Sequence, residues 1–251
     1  MVLSANSSPL AVGDAAFPTT QWSLVISAGG GSTEAARGAL ESLCRQYWYP
    51  IYYFARRRGL PHHQAEDVTQ QFLARLLATD RIGTARPARG KFRTFLLTAF
   101  RNFLTDEWRQ AQTAKRGGGQ VAVSIDLSRA EQRFAAEPAD QSLTPDQAFD
   151  RAWAVEMLER AVGRLRDEYE SSGRGPLFAA LAPRLWNPSG AATADQPPGR
   201  AEMNAHAVSM ALNRLRHRFG LRLRDEVAAT VAEGTDIDAE LRLIIAALRA
   251  T

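Results

Sequence analysis

The chain has 251 residues, of which 31 are Lys or Arg and 27 are Asp or Glu, giving a formal net charge of +4. This length allows one large domain or two small ones, and we expect two. The single cysteine, Cys44, excludes an internal disulfide and a multi-cysteine zinc site, and its apolar surroundings predict a buried, unreactive thiol. No stretch approaches the ~18 apolar residues of a membrane span and no secretion signal is evident, so we expect a cytoplasmic protein without membrane contact.

The charges are unevenly distributed along the chain. Residues 81–116 carry nine cations and two acids, residues 200–224 carry six cations and one acid, and residues 120–172 carry eleven acids and six cations. Two basic modules therefore flank an acidic connector. All cations except Lys91 and Lys115 are arginines, which suit phosphate and base-edge recognition. A GC-rich genome is an alternative explanation for the arginine excess, but it does not explain the clustering.

The first half of the chain predicts a helical module. Residues 1–19 are rich in Ala, Ser, Gly and Pro and indicate a mobile tail. A short helix is predicted at residues 22–26. Helical spacing of apolar residues then predicts helices over 34–58, 62–78 and 91–112, within a first module at 20–116. Ser32 or Thr33 can cap the first of these helices, Pro50 should bend or split it, and Gly59 should end it.

An acidic linker at 117–144 leads to a second helical module at 145–251. The linker is expected to be irregular, with a short extended piece at 121–125. Thr144 and Pro145 mark a helix start, and apolar periodicity predicts helices over 145–170, 177–186, 205–224 and 238–249. A loop at 187–199 is rich in Pro and Gly, and residues 225–251 form a C-terminal extension. No strand pattern is present, so the fold class is all-α.

The second predicted helix has a polar face formed by Glu66, Asp67, Gln70 and Gln71. Most surface helices have a solvated polar face, and that is one interpretation of this one. Adjacent glutamines are less typical of a merely solvated face, which favours a protein partner. His62 and His63 lack a third ligand at suitable spacing, so no metal site and no cofactor are expected.

The third predicted helix combines aromatic residues with Arg93, Arg101, Asn102, Trp108 and Arg109. One interpretation is a core helix with solvated arginines. The other is a surface for single-stranded or melted nucleic acid, because bases stack on aromatic rings and phosphates pair with cations. The residues alone support both.

Residues 202–218 suggest the recognition helix of a helix-turn-helix. Its outward positions carry residue types that read major-groove edges or hold phosphates. These positions are His206, Ser209, Met210, Asn213, Arg214 and His217. A basic amphipathic helix can also bind an acidic protein or a membrane surface, so this pattern leaves alternatives open.

Six segments together resemble bacterial RNA polymerase sigma factors of the extracytoplasmic-function (ECF) type, in the variant abundant in planctomycete-like bacteria. They are TQWSLV (20–25), LCRQYWYPIY (43–52), AEDVTQQF (65–72), GKFRTFL (90–96), RNFL (101–104) and KRGGG (115–119). The resemblance extends from about residue 20 to residue 248. It departs from the family pattern at 187–200, where breaker residues replace a compact helix and a glycine turn.

This resemblance implies two partners, core RNA polymerase and promoter DNA. Sigma region two would bind the β′ clamp through Asp67, Gln70, Gln71 and Phe72. The helix at 91–109 would capture the −10 element as it melts, with the loop 79–90 facing the flipped base. A region-four-like helix-turn-helix would read the −35 element and dock on the β flap. An anti-sigma factor is a further candidate partner.

The resemblance implies a transcription initiation factor without catalysis of its own, and no arrangement of nucleophile, base and orienting group suggests an enzyme. Two alternatives stay open. One is a stand-alone helix-turn-helix regulator that binds duplex DNA without polymerase. The other is a core-binding adaptor whose DNA reader has degenerated.

Overall fold

Eight α-helices form the described part of the chain. The computed structural model describes residues 33–78, 91–113, 127–136, 142–186, 205–231 and 235–249. In chain order the helices are α1 Glu34–Arg57, α2 His62–Ala78, α3 Phe92–Thr113, α4 Leu127–Ala136, α5 Pro145–Ser171, α6 Gly175–Leu181, α7 Ala205–Ala229 and α8 Ile237–Arg249. A 3-10 turn, Ala182–Arg184, follows α6. These ranges contain an isolated bridge between Lys91 and Val231 but no strand, which confirms the all-α prediction.

The helix ends follow from local chemistry. The Thr33 side chain accepts a hydrogen bond from the Ala36 amide at 3.2 Å and so caps α1. Gly59, at φ 92°, adopts the left-handed conformation that terminates this helix. Thr144 forms a capping box with Gln147 at the start of α5. Pro50 lies inside α1, which runs through it without being split.

Several predicted features lie outside the described residues. They are the tail 1–19, the short helix 22–26, the loop 79–90, the extended piece 121–125 and the breaker-rich loop 187–199. Of the helices that are described, none combines the length and the apolar character required to cross a membrane.

A larger apolar cluster joins most of the helices. The fully buried ring of Tyr47 lies at its centre, in edge contact with Phe92 at 5.0 Å between centroids and stacked with Phe149 at 6.4 Å. Helices α1, α2 and α3 supply most of the other side chains. Val227 and Ile244, from the end of α7 and from α8, belong to the same cluster. The C-terminal extension therefore contributes to the core of the first module.

Helix α5 connects this cluster to a smaller one. Its first half buries Phe149, Trp153 and Met157 in the larger cluster. Its second half buries Leu165 and Tyr169 in the smaller cluster, together with side chains of α6 and α7. The sequence places all of α5 in the second module, after a boundary at residue 144. The first half of α5 instead shares its core with the first module.

Residues 127–136 form helix α4, although the sequence predicts an irregular linker there. Helix α4 packs on α1 largely through charged and aromatic contacts. The Arg133 guanidinium lies 4.0 Å from the ring centroid of Tyr49 and pairs with Glu156 of α5. Phe134 meets the Tyr53 ring edge-on at 5.4 Å. The helix has only ten residues and few large apolar ones, so its apolar spacing is too short a pattern to stand out in the acidic linker, which explains the missed helix.

A polar cluster fixes α4 to α1 and α2. The Tyr52 hydroxyl donates to Glu131 Oε2 at 2.5 Å and accepts from Arg56 Nη1 at 3.0 Å. Burial, with the hydrogen bond to Glu131, raises the pKa of Tyr52 to about 12. Burial favours a higher pKa for Glu131, but the Tyr52 hydrogen bond and the Arg56 and His62 charges together hold it below the usual range. The cluster therefore favours an ionised Glu131 beside a neutral Tyr52.

The Arg93 side chain joins three helices. It extends from α3, pairs with Asp150 of α5 at 2.6 Å and with Glu240 of α8 at 3.5 Å, and lies 4.6 Å from the Trp153 ring centroid. Only 12% of the Arg93 side chain is exposed, and Glu240 is 1% exposed. A charge at such depth requires close partners. Arg93 therefore has a structural role in this conformation.

The buried thiol of Cys44 generates a simple prediction. Burial raises the pKa of this thiol to about 12, so the reactive thiolate is scarce at neutral pH. At pH 8 we expect the native protein to react with a thiol reagent about a hundredfold or more slowly than the denatured protein. Absorbance during labelling measures both rates. Equal rates before and after denaturation would contradict the buried placement.

Replacing Arg93 with Ala should destabilise the fold. The change leaves Asp150 and the buried Glu240 without this partner and removes the stacking on Trp153, so we expect unfolding to become easier by about 3 kcal/mol. Arg101→Ala is the matched control on the same helix, because its pair with Asp146 is solvent-exposed and should matter by less than about 1 kcal/mol. Denaturant titration followed by circular dichroism compares the two. Similar small losses would show that Arg93 is not a structural junction.

Candidate partner and nucleic-acid interfaces

Helix α2 presents the predicted polar face to solvent. Asp67 is exposed, whereas Gln70 and Gln71 are partly exposed. The Gln70 side-chain amide donates to Glu66 at 3.3 Å, which orders the centre of the face. The opposite side of the helix is buried in the larger cluster. The face therefore has a rigid backing and carries acceptors and amides suited to a protein partner.

Phe72 lies on the buried side of α2 and not on this polar face. It is 4% exposed, and its ring centroid lies 5.0 Å from that of Phe100 and 5.6 Å from that of Phe103. The sequence resemblance assigns Phe72 to partner binding. In this structure it can support the face only from behind, by fixing α2 on α3.

The surface end of α3 lines a basic aromatic cleft against the end of α1. The cleft has a volume of about 490 Å³. Its lining residues are Arg57, Arg58, Leu60, Leu104, Thr105, Trp108, Arg109 and Pro145. The Trp108 side chain is 68% exposed, an unusual state for a large aromatic residue. The cleft thus combines an open stacking surface, an apolar floor and three guanidinium groups.

Arg57 and Arg58 are cleft residues that the sequence reasoning did not single out. Arg57 donates to the Leu143 carbonyl at 3.2 Å, which orients its side chain at the cleft. The Arg58 guanidinium lies 5.9 Å from the Phe54 ring centroid. The available signal was the run of three arginines just before Gly59. Because this run lies far from residues 91–109 in the chain, the sequence does not indicate that both line one cleft.

The predicted nucleic-acid residues of α3 fall into two groups. Asn102, Trp108 and Arg109 are exposed on the outer end of the helix. Arg101 is also exposed and pairs with Asp146. Arg93, at the other end, is largely buried by the contacts with Asp150, Trp153 and Glu240. The structure therefore brings Trp108 and Arg109 into the cleft and leaves Arg93 apart from it.

Helix α7 presents the predicted reader positions as an exposed row. The exposed side chains are Ser209, Met210, Asn213, Arg214 and His217. The His206 side chain lies outside the described residues, as does the segment 187–204 before the helix. On the other face, Ala211 and Leu215 are buried in the smaller cluster. Arg216 also donates to the Arg184 carbonyl at 3.0 Å, which holds α7 against the 3-10 turn.

The comparisons with known proteins bear on the part of the chain that carries the α2 face and most of the cleft. Residues 43–114 match the family model described as Sigma-70 region 2. Comparison with curated proteins and comparison with solved structures found no significant match. The matched segment includes most of α1 and all of α2 and α3. The match supports a relationship of this segment to the sigma-70 family.

Proposed function

We propose that this protein is an RNA polymerase sigma factor that binds core polymerase, recognises promoter DNA and promotes open-complex formation in transcription initiation. The observation that carries the proposal is the match of residues 43–114 to Sigma-70 region 2. The sequence motifs support the ECF type, in the variant found in planctomycete-like bacteria. Such a factor acts in the cytoplasm on the polymerase and catalyses no reaction of its own.

Promoter melting requires a protein surface that holds unpaired bases. The exposed Trp108 indole can stack on a base, because every base offers a π-face. Arg58 and Arg109 at the cleft can neutralise the flanking phosphates. The favourable contacts form only when the duplex has opened, so they shift the equilibrium towards the melted DNA. Asn102, on the exposed side of the same helix, is a candidate for a polar base contact.

The α2 face is the proposed contact with the β′ clamp of core polymerase. Asp67, Gln70 and Gln71 supply the hydrogen-bonding groups, and the buried side of α2 keeps them in position. Phe72 acts in this proposal as a positioning residue. Polar residues on a rigid helix give directional contacts without a large cost in side-chain ordering.

The exposed row of α7 is the proposed reader of the −35 element, within a helix-turn-helix that also docks on the β flap. Asn213 and Arg214 are suited to base edges, and Ser209 and His217 can contact phosphates. A regulatory anti-sigma factor would act by covering one of these surfaces. If the helix-turn-helix no longer recognises DNA, the protein would instead be a core-binding adaptor, which binds polymerase without supporting specific transcription.

Removing the polar groups of α2 should weaken binding to core polymerase. For Asp67→Ala combined with Gln70→Ala we expect a loss of about tenfold or more in affinity, since each lost interfacial hydrogen bond weakens binding by about 1 kcal/mol. Co-elution and fluorescence titration with purified core polymerase measure the change, and circular dichroism confirms folding. Glu34→Ala with Arg37→Ala, at exposed positions of α1, is the control. Unchanged affinity of the α2 variant would reject this face, and no core binding by the unaltered protein would reject the sigma-factor proposal.

Removing the stacking surface should impair DNA opening more than core binding. Trp108→Ala should weaken affinity of the holoenzyme for forked promoter DNA by about tenfold, the effect of one base stacked on an aromatic ring. Arg58→Ala should weaken it too and reduce the salt dependence by about one phosphate contact. Fluorescence anisotropy at several salt concentrations measures both effects.

Two variants outside the cleft control for these effects. Trp186→Ala removes another exposed indole, one that packs on Phe219, and Arg45→Ala removes an exposed arginine of α1. Both should leave the affinity for forked DNA unchanged. Equal losses in the cleft variants and these controls would show that the cleft is not the binding surface.

A further inference from the structure

The C-terminal segment packs against the first turn of α3, the helix proposed to bind melted DNA. The Phe92 amide donates to the Thr230 carbonyl at 3.1 Å, next to the bridge between Lys91 and Val231. Val227 and Ile244 anchor the segment in the larger cluster. This segment, described at residues 225–231 and 235–249, therefore covers the start of α3.

Two buried glutamates attach this segment to four cations. Glu240 of α8, 1% exposed, pairs with Lys91 and with Arg93 at 3.5 Å. Glu226 at the end of α7 has no exposed surface and pairs with Arg160 at 2.9 Å and Arg164 at 2.5 Å. A buried carboxylate is stable only with such partners, so the segment is built to dock there.

The Glu240 carboxylate occupies the cations that a phosphate would require. The side chains of Lys91 and Arg93 are 32% and 12% exposed while they pair with Glu240. The docked segment thus keeps the basic start of α3 away from nucleic acid. A DNA phosphate and the Glu240 carboxylate compete for the same donors. Movement of α8 would release Lys91 from its carboxylate partner and leave Arg93 with Asp150 alone.

The same packing restrains the proposed reader helix. The end of α7 is fixed to α5 through Glu226, and its first half belongs to the smaller cluster. With α8 docked, the reader row of α7 and the cleft of α3 belong to one connected set of helices. Independent adjustment of the two surfaces to DNA requires that some of these contacts open.

We propose that residues 225–231 and 235–249 form an intramolecular latch, which competes with DNA through Glu240 and weakens nucleic-acid binding by the free protein until it is displaced. This inference rests on the proposed function, from which it takes promoter DNA as the ligand. The latch is reciprocal: whatever favours the undocked segment strengthens DNA binding, and bound DNA favours the undocked segment. Core polymerase is the partner whose binding would displace it.

The test compares two variants that weaken the latch by different means. Glu240→Gln removes the charge that competes with phosphate, and Ile244→Ala removes the apolar anchor without changing any charge. Asp238→Asn is the matched control, since its carboxylate pairs with Arg224 on the exposed surface. Fluorescence anisotropy measures binding of each full-length protein to a forked oligonucleotide with an oligo-dT single strand. Hydrogen exchange reports the opening of α8.

We expect both latch variants to bind the forked DNA about fivefold or more tightly than the unaltered protein, with faster amide exchange in α8. The control should match the unaltered protein. If Glu240→Gln does not fold, Ile244→Ala still tests the latch. Equal affinities in all folded proteins, or no DNA binding by any of them, would overturn the latch.

Binding to core polymerase is measured in parallel with the same proteins. Core binding by all of them, with unchanged DNA affinity, would reject the latch and leave the sigma-factor proposal standing. Absence of core binding throughout would reject the proposed function. Tighter DNA binding by the latch variants would still support the competition by Glu240 in that case.

Discussion

The continuity of α5 is the constraint on which the rest of the structure depends. This helix has 27 residues, and at 1.5 Å per residue it spans roughly 40 Å. Trp153 is fixed in the larger cluster and Leu165 in the smaller one. Because an α-helix resists bending unless its backbone hydrogen bonds are disturbed, the positions of the two clusters relative to each other follow from this one element. The position of the cleft on α3 relative to the exposed row on α7 is fixed in the same way.

The arginines divide according to the chemistry of their surroundings. Those with carboxylate partners at low exposure, such as Arg93, stabilise contacts between helices. Others, such as Arg58, lie at the cleft beside the exposed indole of Trp108, on a surface suited to an anion. The guanidinium is charged in both settings, so its surroundings determine whether it joins helices or lies at a surface open to a ligand. Net charge alone does not distinguish these two groups.

The sequence predicts individual helices better than their contacts. Apolar spacing located α1, α2, α3 and α5, and the caps at Thr33 and Thr144 were identifiable because they depend on neighbouring residues. The burial of Arg93 and the cleft position of Arg58 depend on partners distant in the chain. Periodicity shows which side of a helix is apolar, but it does not identify the helix that covers it. Helix α4 was missed for another reason, since it is held by polar contacts such as that of Glu131 with Tyr52.

The placement of Ile244 in the larger cluster has a consequence for synthesis of the protein. Ile244 follows Tyr47 by 197 residues, yet both side chains belong to one core. During translation the first module emerges long before the segment that completes its core. Part of its apolar surface therefore stays uncovered on the ribosome until α8 has been synthesised and can pack. The order of synthesis and the order of burial differ in this chain, so α8 acts late in folding on helices that were made first.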